Sequence, residues 1–110
     1  MTEHRLSLDN IERSAHEIDP VFTRSPQFNC EPLSGALGAE VMLKVETINP
    51  IRSFKGRGAD FFMHETKVAL GGRQLVCATA GNFGQAMAYV CRSNQRPLII
   101  YCSVHANPLK

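Results

Sequence analysis

From residue 41 onward, short apolar runs bounded by turn residues alternate with longer stretches whose apolar residues recur every three or four positions. That alternation limits the fold more than any other feature. Val41-Met42-Leu43-Lys44-Val45-Glu46 reads as a strand closed by Thr47-Ile48-Asn49-Pro50. The pattern predicts a helix over 53–70, with Ser53 as N-cap and Gly71-Gly72 as its stop. A second strand, 74–78, feeds a turn at Thr79-Ala80-Gly81. Phe83, Ala86, Met87 and Val90 share one face of the helix that follows. After Arg96-Pro97, the run Leu98-Ile99-Ile100-Tyr101-Cys102 reads as a buried strand. The order is β-α-β-α-β. Helices placed between strands imply α/β architecture: a three-layer unit with a parallel sheet and right-handed crossovers.

Upstream, Leu8, Ile11, Ala15 and Ile18 recur at helical spacing, and Asp9 with Glu12 has the spacing of a capping box. The pattern predicts a helix over 6–18 whose apolar face has no packing surface in the unit downstream. Pro20, Pro26 and Pro32 then punctuate a stretch expected to be largely irregular. Residues 1–40 are therefore expected to belong to a larger, mostly missing domain, and 41–110 to form the β-α-β-α-β unit. Ala106-Asn107-Pro108-Leu109-Lys110 reads as the opening of another β-α connection, so the unit is expected to be truncated.

Charge narrows the function classes. Twelve Lys and Arg against ten Asp and Glu leave a net charge of +2, too balanced for a dedicated nucleic-acid or membrane-surface binder. Arg52, Lys55 and Arg57 cluster without an aromatic platform for bases. The run at 98–102 is far too short to span a bilayer, and the polar residues 1–5 lead into no signal-peptide core. Cys30, Cys77, Cys91 and Cys102 form no C-x-x-C pair, and the four histidines are not spaced to complete a zinc site. Cys77, Cys91 and Cys102 sit in apolar stretches and are expected to be reduced core thiols of a cytoplasmic protein.

Two stretches carry chemistry. In Ser53-Phe54-Lys55-Gly56-Arg57-Gly58, two glycines open a helix at a cost of about 1 kcal/mol each relative to alanine. Such glycines suit a close approach by another backbone or a ligand, or simply a tight turn. Lys55 would place a primary amine, the nucleophile of carbonyl capture, at the positive end of the helix dipole. Thr79-Ala80-Gly81-Asn82-Phe83-Gly84 is a strand-to-helix junction offering free backbone N–H groups to an anion. An ordinary turn in which Asn82 caps the helix accounts for the same residues.

Together, "KVETINPIRSFKGRGA" and "CATAGNFGQAMAYV" resemble the pyridoxal-phosphate enzymes of the tryptophan-synthase-β-like fold (fold type II), particularly the threonine/serine dehydratase branch. The resemblance runs from about Ser25-Pro26 through Lys110. It implies that Lys55 is the Schiff-base lysine that also moves the Cα proton, and that Phe54 packs beside the pyridine ring. It implies that Asn82 binds the cofactor's 3′ oxygen. Thr79, Ala80, Gly81, Asn82 and Phe83 then form the loop for the substrate carboxylate. The implied cofactor is pyridoxal 5′-phosphate and the implied substrate a small hydroxy amino acid. The implied reaction is an ammonia-lyase β-elimination giving a 2-oxo acid and ammonia, and a full-length form would be a homo-oligomer.

Three positions depart from the branch. Ala80 stands where serine racemases of the family carry an acid/base serine, which favours elimination over racemisation. Phe83 replaces a common histidine or threonine. Thr79 in place of serine resembles the threonine-synthase and cysteine-synthase branches. The family's glycine-rich phosphate loop is expected beyond Lys110. A non-catalytic remnant keeping the fold, or an interaction protein, is the alternative.

Overall fold

The computed structural model describes residues 6–109; residues 1–5 and 110, including the polar start and the far end of the resemblance, lie outside them. Helix α1 spans Leu8–Glu17. Its N-cap is Ser7, whose hydroxyl accepts from the Asn10 N–H at 3.2 Å. The cap therefore falls two residues earlier than the Asp9–Glu12 spacing predicts: the serine oxygen already reaches the free N–H of the first turn.

The proline-punctuated stretch is more ordered than expected. A short 3-10 helix spans Pro20–Phe22, strand β1 Gln27–Asn29 and helix α2 Glu31–Leu37. Each proline sits where its missing N–H costs nothing. Pro20 and Pro32 fall in first helical turns, and Pro26 contributes only its carbonyl, which accepts from the Val45 N–H at 2.8 Å. Strand β2, Met42–Lys44, pairs with β1 antiparallel in the register Gln27↔Lys44, Phe28↔Leu43 and Asn29↔Met42.

That pairing corrects the expected single sheet. The 41–46 strand is not the first strand of a parallel three-stranded sheet; β1, hidden in the proline stretch, takes it. The remaining crossover is as read. Helix α3, Lys55–Leu70, leads to strand β3, Leu75–Ala78, then helix α4, Asn82–Ser93, and strand β4, Leu98–Tyr101. Strands β3 and β4 pair in parallel from Leu75↔Leu98 to Ala78↔Tyr101. Strand β4 is not buried: Ile99, Ile100 and Tyr101 are exposed, because a two-stranded sheet closes neither of its edges.

The core forms where α3 meets α4. Ala59 and Met63 from α3 pack with Ala86, Met87, Val90 and Cys91 from α4, and Ile18, Phe22 and Ile51 close one end. Ile18 was expected to be exposed with the rest of its helix; it lies just past α1, where the chain turns into the core. Phe22 meets Tyr89 edge-on, with ring centroids 5.4 Å apart. Burial of the Cys91 thiol raises its pKa, whereas Cys102 is exposed, so only part of the cysteine set is core.

Candidate active site

Lys55 is placed by a loop that Asn49 organises. Asn49 is buried; its Oδ1 accepts from the N–H groups of Ile51 at 3.1 Å and Ser53 at 3.4 Å. Its Nδ2 donates to the Ser53 carbonyl at 2.8 Å. One side chain thus folds residues 49–53 into a closed turn ahead of α3. Helix α3 begins at Lys55 itself, with Phe54 at the cap position and Ser53 Oγ accepting from the Lys55 N–H at 3.4 Å. Sequence reading saw Asn49 only as a strand end; the Asn-Pro pair was the signal for its turn.

Two motif residues turn out to be fasteners. Arg57 donates to the Phe22 carbonyl at 2.9 Å, to Ser25 Oγ at 2.9 Å and to the Glu46 carboxylate. It anchors the start of α3 to the chain on both sides and is committed inside the protein. Gly56 is glycine because the Phe22 ring occupies the space beside it, so the close approach is made by protein. Gly58, in contrast, faces open space.

The Lys55 side chain is exposed, and among the described residues it has no carboxylate partner. Its ammonium lies 5.6 Å from the centroid of the exposed Phe54 ring. At the second junction, α4 starts at Asn82 with Gly81 as cap. Asn82 is the first helical residue and makes no side-chain cap, contrary to the ordinary-turn reading. The Gly81 N–H donates to Thr79 Oγ1 at 3.2 Å, and the N–H groups of Gly84 and Gln85 turn inward to the Gly81 carbonyl. Those of Asn82 and Phe83 have no protein acceptor among the described residues.

Two crevices flank this junction. One, of about 260 Å³, lies at the carboxyl ends of β3 and β4 and is lined by Thr79, Ala80, Gly81, Gln85 and Cys102 among others. The other, of about 280 Å³, brings Gly58 and Ala59, one turn beyond Lys55, against Phe83 and Met87. The first turns of α3 and α4 thus share the second crevice beside β3, while Lys55, Phe54 and Asn82 line neither crevice.

The donor chemistry fits an aldehyde carrying an anion: an unpaired primary amine, an exposed aromatic ring, a carboxamide and two unfilled helix N–H groups. Lys55, Phe54, Asn82 and the Thr79–Phe83 turn are the residues present for such a group.

The chain belongs to the pyridoxal-phosphate dependent enzyme family, whose pattern matches residues 18–110. It is 41% identical over 91 residues to the biosynthetic L-threonine dehydratase of Mycobacterium tuberculosis, covering 79% of this chain and 20% of that protein. A human serine dehydratase-like protein is 38% identical over 82 residues, 74% of this chain and 25% of that one. Cysteine synthase 1 of Neurospora crassa is 29% identical over 103 residues, 91% of this chain and 27% of its own. A solved pyridoxal 5′-phosphate-dependent aspartate racemase superposes on the whole chain with a TM-score of 0.79 at 18% identity, over 35% of its own length. That likeness shows the fold. The chain spans about a fifth to a quarter of the curated relatives it matches.

Proposed function

We propose that this chain carries the lysine and the carboxylate-binding turn of a pyridoxal-phosphate-dependent ammonia-lyase acting on a small hydroxy amino acid. The observation that supports this most is the crevice shared by the first turns of α3 and α4, since Lys55 opens the one helix and the Thr79–Phe83 turn leads into the other. Bound there, pyridoxal phosphate supplies an electron sink for cleavage at the amino acid's Cα. Lys55 Nζ would hold the cofactor through its aldehyde carbon and, as a free amine, would accept the Cα proton. The unfilled N–H groups of Asn82 and Phe83, with the Thr79 hydroxyl, hold the substrate carboxylate and so orient the Cα–H bond. The Asn82 carboxamide would hold the cofactor ring's oxygen substituent, and Phe54 would cover the ring. Loss of the Cα proton and the β-hydroxyl together as water, then hydrolysis of the product by one water, would give a 2-oxo acid and ammonia.

The four thiols are unpaired, as a reducing cytoplasm keeps them, and no helix among the described residues is long and apolar enough to cross a membrane. The likeness to cysteine synthase over 91% of the chain, together with Thr79, supports β-replacement as a second reading. A chimera decides between them. Residues 18–110 replace the matching segment of the 41%-identical threonine dehydratase, and product is assayed from L-threonine and L-serine, with and without sulfide. Ammonia and 2-oxo acid support the lyase; cysteine formation without 2-oxo acid overturns it.

A further inference from the structure

Among the described residues, three that are not glycine have a positive φ: Arg24, Arg52 and Gln95. Gln95 follows the last turn of α4, where a left-handed residue commonly ends a helix. Arg52, at φ 55°, stands just ahead of Ser53, Phe54 and Lys55. An L side chain in this region strains the backbone, and such strain persists only where the surroundings over-determine the conformation. Asn49 supplies that restraint. Its carbonyl accepts from the Arg52 N–H at 3.0 Å, and its Oδ1 accepts from the N–H groups on either side, those of Ile51 and Ser53. Its Nδ2 donates to the Ser53 carbonyl at 2.8 Å. Ile51 and Ser53 are themselves buried, so residue 52 is pinned between two fixed neighbours. Arg52 is exposed, and packing of its side chain does not hold it.

The same restraint reaches α3. The Glu46 carboxylate receives Arg57 from the first turn of that helix and lies 3.5 Å from Asn49 Nδ2. We propose, on the reading of Lys55 as the cofactor-binding amine, that Asn49 is its positioning residue. By holding residue 52 left-handed, Asn49 gives the chain one direction of entry into α3 and so fixes where Lys55 Nζ stands. Without it, residue 52 relaxes to a negative φ and the chain ahead of the amine turns. Proton transfer at Cα depends steeply on the place of Nζ, whereas the Thr79–Phe83 turn holds the substrate carboxylate from a different helix start. The loss should therefore fall on kcat and spare KM.

Two measurements test this. In the 110-residue chain, Arg52→Gly should raise the urea midpoint, because glycine takes a positive φ without strain. The rise should be larger with Asn49 in place than in Asn49→Ala, where residue 52 has already relaxed. In the chimera, borohydride reduction and peptide mass spectrometry count the Lys55 sites carrying pyridoxyl, and kcat is expressed per such site. A variant that merely folds less completely then shows no change. Asn49→Ala should lower this kcat about tenfold or more, with KM for L-threonine within about twofold. Adding Arg52→Gly lets residue 52 keep its conformation unaided, and should recover about threefold or more of the lost kcat. Strict additivity in urea, an unchanged kcat per labelled site in Asn49→Ala, or no recovery with Arg52→Gly overturns the inference and leaves the proposed function standing. An unsubstituted chimera labelled elsewhere than Lys55 overturns that function, and this inference with it.

Discussion

The ring of Phe22 fills the volume in which a side chain on residue 56 would sit. The core thereby reaches to within one residue of Lys55 and fixes the first turn of α3 from below. Gly56→Ala should cost about 1–3 kcal/mol through overpacking, offset by up to about 1 kcal/mol from alanine's better helix propensity. Urea unfolding measures the net loss. Phe22→Leu should tolerate Gly56→Ala better than Phe22 does, and a strictly additive double variant would contradict the contact.

Lys55 lies beside this contact but outside the core. Lys55→Ala should leave stability within about 0.5 kcal/mol, since the side chain is exposed and unpaired among the described residues. Incubation with pyridoxal phosphate, borohydride reduction and peptide mass spectrometry should locate the pyridoxyl group on Lys55 ahead of Lys44 and Lys67. Lys44 is occupied with the Ser25 carbonyl at 2.9 Å, and Lys67 lies in the last turn of α3. Preferred labelling of either would remove the assignment.

The two glycines of the α4 junction should behave differently. Gly81 has an extended backbone, φ −149°, and open space around its missing Cβ, so Gly81→Val should fold normally. Its branched side chain would still crowd the N–H groups of Asn82 and Phe83, and in the chimera KM for L-threonine should rise by tenfold or more. A Cβ on Gly84 would come within 2.7 Å of the Thr79 methyl. Gly84→Ala should therefore lower both stability and substrate affinity, seen by thermal melting and steady-state kinetics.

The crossover from α3 to β4 was legible because its signals are local: apolar period, Gly71-Gly72, and the turn at Thr79. The partner of β2 was not, since a three-residue strand between prolines carries no periodicity and its pairing is decided by the fold around it. That Lys55 stands at one helix start and the Thr79–Phe83 turn at another could be read from the two motifs. Asn49 and Arg57 could not, because their roles depend on Ser53, Phe22, Ser25 and Glu46 meeting in space. Nor could the approach of His64 Nδ1 to Glu17 at 3.5 Å, because the two residues lie on different helices.

That same helix pair carries a pH dependence. Hydrogen bonds from Arg13 hold the Glu65 carboxyl below its ordinary pKa. A carboxyl lowered in the folded state stabilises above its unfolded pKa and loses that contribution as pH falls through the folded one. The tie between α1 and α3 should therefore weaken only on acidification below the ordinary carboxylate range. The group is solvent-exposed, so the effect should be small and should shrink with salt. Hydrogen exchange of α1 amides, compared between the chain and Glu65→Gln from pH 7 down to pH 3, checks this. Protection should differ at neutral pH and converge at the acid end.

Under the proposed function, Ala80 would bear on which reaction follows loss of the Cα proton. Its side chain lines the crevice at the carboxyl ends of β3 and β4, beside Thr79 and Gly81. Racemisation needs a second group able to return a proton to the opposite face of Cα, and a methyl group has none to give. In the chimera, Lys55 would then be the acid/base of the two motifs, and L-serine should yield 2-oxo acid and ammonia with little D-serine. Ala80→Ser supplies a hydroxyl at that position and should raise the D-serine fraction at the expense of elimination. The Cys102 thiol lines the same crevice, so Cys102→Ala belongs in the series to show that it is not the proton donor. Chiral chromatography reads all three proteins. D-serine as the main product with Ala80 in place would mean that another donor reaches Cα, and the elimination reading would fall.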